Sequence, residues 1–230
     1  MNAEKLSKRL EKVASFIPHE SRLVDIGSDH AYLPCYAVKA GIVNFAIAGE
    51  VVEGPYESAK HQVQQLRLEN HIRVRLGSGL EVISRGEVNV ITIAGMGGTL
   101  ISSILEEGKE KLVGNERLIL QPNVSAISIR KWLMKNGWAV VKEEILEEEN
   151  KIYEIVVAEK GDSYQLTEKE LLLGPILIKE NNDIFKKKWQ QECDQWKRIL
   201  KEMEQAEETS ELSIKKSEFR KKITMVEGVI

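Results

Sequence analysis

The side chains with the most chemistry to offer stand together in the stretch DIGSDHAYLP, where Asp25, Ser28, Asp29, His30 and Tyr32 surround a single glycine, Gly27. Residues 22–27 (RLVDIG) read as a buried strand, so the glycine turn falls at a strand's carboxyl end, where open α/β sheets hold ligands. A dinucleotide-binding turn uses GxGxxG to bring its backbone against a pyrophosphate. Here Asp29 and His30 occupy that approach, and a carboxylate repels phosphate. A ligand that carries positive charge and no phosphate removes the conflict. S-adenosyl-L-methionine has that composition: its α-ammonium and sulfonium suit acidic neighbours, and its carboxylate can use the amides of the turn.

Four further stretches place polar or glycine-rich groups at the ends of other strand-like runs. Glu50, followed by Val51 in AIAGEVVEGP, lies about 20 residues past the turn, the place of an acid that holds the ribose hydroxyls of an adenosine cofactor. In VRLGSGLEVI, Gly77, Ser78 and Gly79 fall where a methyltransferase sheet meets the adenine ring; a serine stands where an aspartate is common, so its hydroxyl or the backbone must serve. ITIAGMGG brings Ala94, Gly95 and Met96, with Gly97 and Gly98 allowing close approach of the backbone to cofactor and base. RLILQPN offers two amides, Gln121 and Asn123, able to bond a base edge, with Pro122 stiffening the loop. Asn123 equally suits the start of the following helix.

These groups need a scaffold that gathers strand ends. Strand-like runs at 22–27, 43–49, 72–76, 88–94 and 116–121 are rich in Val, Ile and Leu and lack polar alternation, as strands buried on both faces do. Helix-like segments at 55–69 (Pro55 in its first turn), 98–107 and 125–136 (stopped by Gly137) separate them. That alternation predicts an α/β, Rossmann-like, mostly parallel sheet. Residues 138–147 and 151–159, joined by a short polar link, predict an antiparallel terminal hairpin. Past Gly161 the strand signal ends. Phe185, Trp189, Trp196, Ile199, Leu200, Met203 and Ala206, then Leu212, Phe219, Ile223, Val226 and Ile230, recur at helical spacing on either side of EETS. They predict a coiled-coil-like helical hairpin. The expected domains are 1–161 and 162–230.

The 230-residue chain is 42% hydrophobic and 30% charged, with a net charge of −3, an ordinary globular balance without a one-signed field. Its two cysteines and four histidines show no CxxC, HExxH or other metal spacing, so no metal is expected. The amphipathic opening helix (Leu6, Leu10, Val13, Ile17) is no secretory signal, and a soluble cytoplasmic protein is expected, with no membrane and no obligate protein partner.

Taken together, DIGSDHAYLP, AIAGEVVEGP, ITIAGMGG, RLILQPN and ILEEENKIYEI closely resemble the bacterial tRNA adenine N1-methyltransferase family acting on position 22 of the D-arm, in the same order through residues 3–160. The resemblance implies a class I methyltransferase domain, S-adenosyl-L-methionine as donor, S-adenosyl-L-homocysteine as product, tRNA as substrate and a helical C-terminal domain that helps hold it. Asp25, Gly27, Ser28 and Asp29 match the family's cofactor loop and Glu50 its ribose acid; Ser78 departs from an aspartate often found there. Asp29, His30 and Tyr32 match the signature without dividing cofactor binding from catalysis. Asp29 is the candidate for stabilising charge on the base or for holding the methionine ammonium, Tyr32 for stacking, His30 and Asn123 for hydrogen bonds to the base. Basic residues on the first helix (Lys5, Lys8, Arg9, Lys12), Arg130 and Lys131, and Lys186–188, Lys215, Lys216, Arg220, Lys221 and Lys222 on the tail suggest a phosphate track. A small molecule or another RNA is the alternative substrate.

Overall fold

Strands of apolar residues without alternation must be covered on both faces; in the computed structural model, which describes residues 5–161, 165–205 and 209–230, four of the five are, while the run 72–76 is a sheet edge buried only at Ile72. The chain divides into two units, Met1–Gln165 and Leu166–Ile230. The first runs α1 (Lys8–Ala14), β1 (Ser21–Ile26), α2 (Tyr32–Lys39), β2 (Val43–Glu50), α3 (Glu53–Gln65), β3 (Ile72–Leu76), β4 (Val90–Gly97), α4 (Gly98–Glu107), β5 (Arg117–Val124), α5 (Ala126–Lys135), β6 (Trp138–Glu148) and β7 (Lys151–Lys160). The seven strands form one sheet in the order β3-β2-β1-β4-β5-β7-β6. β1 to β5 are parallel; β7 pairs antiparallel with both β5 and β6. The winding reverses between β1 and β4, which opens a crevice at their carboxyl ends. Leu23, Val24, Ile47, Ile91, Ile93, Leu118 and Ile119 fill the sheet's two faces.

Three departures from the sequence reading bear on the site. The helix α2 was not expected, because left-handed residues and Pro34 precede or enter its first turn. β4 and β5 run past their expected ends: Met96 pairs with Pro122 and Gly97 with Val124, across a bulge at Gly95. The AGMGG and QPN segments are therefore adjoining strand ends, not loops. Asn123 does not begin a helix, since α5 starts at Ala126 after a left-handed Ser125. Gly98 seats α4 on this edge; a Cβ there would lie 2.1 Å from the Ser125 carbonyl oxygen.

The second unit holds α6 (Glu168–Leu173), α7 (Leu177–Glu180), α8 (Asp183–Met203) and α9 (Ser210–Glu227). α8 and α9 pack antiparallel over Phe185, Trp189, Cys193, Ile223 and Val226, with ion pairs Lys197–Glu227 (2.7 Å) and Arg220–Glu204 (3.3 Å) along the seam. Ala206 of the expected stripe, Glu207 and Glu208 of the EETS turn, and the first residues after the expected boundary at Gly161 lie outside the described residues. No helix among the described residues is long and apolar enough to cross a membrane.

Candidate cofactor and substrate site

Parallel strands end in unpaired backbone groups, and the first of these ends is strapped down by its neighbour: the Gly27 and Ser28 N–H groups donate to the Gly49 carbonyl of β2 at 2.8 and 3.3 Å. The chain then turns through Gly27, Asp29, His30 and Ala31, all with positive φ (66°, 43°, 66° and 54°). Left-handed backbone costs a non-glycine residue roughly 1–2 kcal/mol, so strain is concentrated at this loop. Two carboxylates hold the geometry. Asp25 accepts from the Ser28 hydroxyl at 2.7 Å and the Thr92 hydroxyl at 2.6 Å, linking β1, the loop and β4. Glu50 accepts the Asp29 N–H at 2.6 Å, and its second oxygen has no partner among the described residues.

Asp25 is buried, and loss of water pushes its pKa up to about 6 from 3.8, against the opposing pull of the Thr92 and Ser28 hydroxyls and of Arg9. Since the folded value exceeds the unfolded one, the stabilising contribution of the protonated form is complete below pH 3.8 and lost as pH rises through 6. Keeping Asp25 ionised at neutral pH therefore costs about 3 kcal/mol. Burial likewise raises Glu50, countered by the Asp29 amide.

Two cavities open over this loop. One, about 250 Å³, is lined by Arg9, Leu10, Leu33, Asp25, Gly27, Ser28, Asp29, Ala94, Gly95 and Met96. The other, about 220 Å³, has walls that include Gly27, Val51, Gly77, Ser78, Gly79, Met96, Leu100, Ile104 and Glu107. Gly27 and Met96 belong to both, and a Cβ on Gly27 would meet the Met96 methyl at 2.2 Å. The Met96 side chain is thus a partition over the glycine turn. Neither space alone reaches the roughly 300 Å³ of ordinary small-molecule sites; the pair does. Glu50 lines neither, but sits at their junction: Gly49 and Val51 beside it face the apolar cavity and its partner Asp29 the charged one.

The remaining candidates stand at the rim. The Asp29 side chain is 76% exposed, 3.6 Å from His30 Nε2, and the His30 and Tyr32 rings stack with centroids 5.3 Å apart. Asn123 Nδ2 donates to the Gly95 carbonyl at 2.7 Å. Gln121, read from sequence as available to a base edge, is wholly buried: Oε1 accepts from the Gly95 N–H at 2.9 Å and from Arg9 Nη1, and Nε2 donates to the Pro122 carbonyl. Its groups are consumed internally.

The expected phosphate track also needs correction. Arg130 is 0% exposed, donating to Glu143 at 2.7 Å and Glu154 at 2.5 Å, so it cannot meet RNA. Arg9 turns into the sheet mouth. Lys216 is buried, Lys12 pairs with Glu144, Lys215 with Glu211 and Lys221 with Glu168. Sequence reasoning missed Leu33, Leu100, Ile104 and Glu107 as wall residues; helical positions facing a crevice carry no local mark of it.

Comparison with known proteins identifies relatives over the whole chain. The family model for TrmK, tRNA (adenine(22)-N(1))-methyltransferase, matches residues 23–228. The Bacillus subtilis tRNA (adenine(22)-N(1))-methyltransferase is 50% identical, over 100% of this chain and 99% of that protein. The crystal structure of the B. subtilis M1A22 tRNA methyltransferase TrmK superposes with a TM-score of 0.95 at 50% identity, covering 99% of each chain. A Streptococcus pneumoniae protein solved in complex with S-adenosyl-L-methionine gives a TM-score of 0.88 at 45% identity, covering 98% of this chain and 99% of that one. With a family match spanning both units and identity at this level over the full length, the chain belongs to the tRNA (adenine(22)-N(1))-methyltransferase family.

Proposed function

We propose that this chain is a cytoplasmic enzyme that transfers a methyl group from S-adenosyl-L-methionine to N1 of adenine 22 in the D-arm of tRNA. The observation that carries the reading is the paired cavity at the β1–β4 switch, one half apolar and one half lined by Asp25 and Asp29, with Glu50 between them. Those residues fit the donor. Val51, Leu100 and Ile104 would wall the adenine ring, with Ser78 and Glu107 as polar contacts; the second oxygen of Glu50 would take ribose hydroxyls, and Asp25 would face the cationic end. When bound, S-adenosyl-L-methionine supplies an electrophilic methyl on a sulfonium.

The rest is alignment and electrostatics by the chain itself. Adenine N1 already carries a lone pair, so no proton must leave before attack and no general base is needed. Base pairing hides N1, so the adenine must be unpaired or flipped out of its stack. Asn123 and Gln121 fix the Gly95 peptide from both sides, which sets the backbone wall where the base arrives. The stacked His30–Tyr32 pair offers a platform for the base, and exposed Asp29 a carboxylate for the positive charge that methylation places on it.

Incubation of labelled donor with unmodified tRNA, followed by mapping of the methylated nucleotide, tests the reading. Label at adenine 22 is expected; label confined to small molecules of a cell extract would sink it. Asp29→Ala is expected to lower turnover about 10- to 100-fold, the range of a lost charge-assisted contact, with donor affinity nearly unchanged. A matching fall in calorimetric donor affinity would instead place Asp29 on the methionine ammonium.

Asp25 gives a pH signature. A cationic ligand prefers its ionised form, so affinity for the donor is expected to fall about tenfold from pH 7 to pH 5 as Asp25 takes up a proton with pKa about 6. Titration calorimetry should show that slope in the unsubstituted protein and a flat profile in Asp25→Asn. An equal slope in both would assign the dependence elsewhere.

A further inference from the structure

Met96 stands between Gly95 and Gly97 at the carboxyl end of β4, and its half-buried side chain reaches across to β1. The methyl group fills the space beside the bare α-carbon of Gly27: a Cβ there would lie 2.2 Å from the Met96 methyl and 4.0 Å from its sulfur. Both residues line both cavities. The passage between the cavities at Gly27 is therefore closed by the far end of a flexible, unbranched side chain and not by backbone. That end has somewhere to go. Beyond the chain neighbours, an added Cβ at Gly95 would meet nothing nearer than Arg9 Nη1 at 3.6 Å, and one at Gly97 nothing nearer than Val124 Cγ2 at 4.0 Å.

A ligand confined to one cavity leaves this side chain in place. A ligand that spans both needs the volume the thioether fills. We propose that Met96 is a displaceable plug: it rotates off Gly27 whenever a ligand joins the two cavities and returns when that ligand leaves, and so sets how tightly the site holds spanning ligands. This rests on the reading that the donor and its demethylated product span the paired cavity. Rotation gives up the packing of the methyl on Gly27, and that cost is subtracted from the binding of every spanning ligand. The apparent affinity is the intrinsic one scaled by the fraction of molecules with the plug withdrawn. Three rotatable bonds make methionine able to move in this way, whereas a β-branched side chain is stiff at χ1. The competing role is a fixed wall against which the ligand packs, and the two roles differ in sign: truncating a plug strengthens binding, and truncating a wall weakens it.

Calorimetry on the full chain separates them, with S-adenosyl-L-homocysteine as the spanning ligand and adenosine, which lacks the amino-acid arm, as the short one. Met96→Ala is expected to bind S-adenosyl-L-homocysteine about five- to tenfold more tightly than the unsubstituted protein, because no plug has to be withdrawn, with adenosine affinity within about twofold. Met96→Ile, which keeps apolar volume but cannot rotate freely, is expected to weaken S-adenosyl-L-homocysteine about tenfold and again to spare adenosine. Neither a lost contact nor a damaged fold produces a gain on truncation, and unfolding midpoints without ligand report on the fold of each variant. Unchanged or weaker S-adenosyl-L-homocysteine binding by Met96→Ala overturns the proposal, as do equal changes for both ligands. If Met96→Ala does not fold, Met96→Ile decides: undiminished affinity for S-adenosyl-L-homocysteine overturns the plug. Each of these outcomes spares the cofactor reading, whereas failure of the unsubstituted protein to take up S-adenosyl-L-homocysteine at all overturns both.

Discussion

Arg130→Met is expected to lower the unfolding free energy by about 3–5 kcal/mol, the range measured when one partner of a buried ion pair is removed. The reason is what it leaves behind. Glu143 on β6 and Glu154 on β7 are almost wholly buried, and the Arg130 guanidinium binds both. Without it, two buried carboxylates lose the guanidinium that offsets their desolvation. Chemical denaturation would show the midpoint falling at constant slope. A loss under about 1 kcal/mol would mean that the acids find other partners. The triple variant Arg130→Met, Glu143→Leu, Glu154→Leu should regain most of the stability, because apolar replacement of a whole buried charge cluster is often neutral or favourable. Function depends on this cluster at one remove. It pins the terminal hairpin to α5, and that hairpin carries Glu148, which docks α1, and Tyr153, which underlies Arg9.

The second large effect is on ligand affinity. Glu50→Ala is expected to weaken binding of S-adenosyl-L-homocysteine and 5′-methylthioadenosine alike, each by about 10- to 100-fold, since both contain the ribose and a charge-assisted hydrogen bond is worth roughly 1.5–3 kcal/mol. Glu50→Gln keeps an acceptor for the Asp29 N–H and so isolates the charge from the support of the strained loop. Unchanged affinity in both variants would reduce Glu50 to a brace for Asp29.

Much of the fold was legible in order. Five βα-rhythm runs and a closing hairpin are local patterns, and the structure joins all seven strands in one sheet, whose order β3-β2-β1-β4-β5-β7-β6 those patterns do not specify. Gly27, Glu50 and the 77–79 turn were found because each is tied to a strand end, and strand ends share one edge of a parallel sheet. α2 escaped because the left-handed residues that shape the cofactor loop also hide the helix start.

What the amino-acid order determined by itself was periodicity, turn chemistry and the kind of ligand a lone glycine beside acids will tolerate, all properties of neighbours in the chain. Only the tertiary structure decided which polar groups remain for chemistry. Arg9 and Gln121 are 112 positions apart, and their bond takes the amide away from the base and brings a surface-like arginine to the cofactor cavity. Arg130 was withdrawn from RNA in the same way by acids on two other strands. A hydrogen-bonding group serves one partner at a time, and which partner arrives is settled by topology and burial, which no local pattern records.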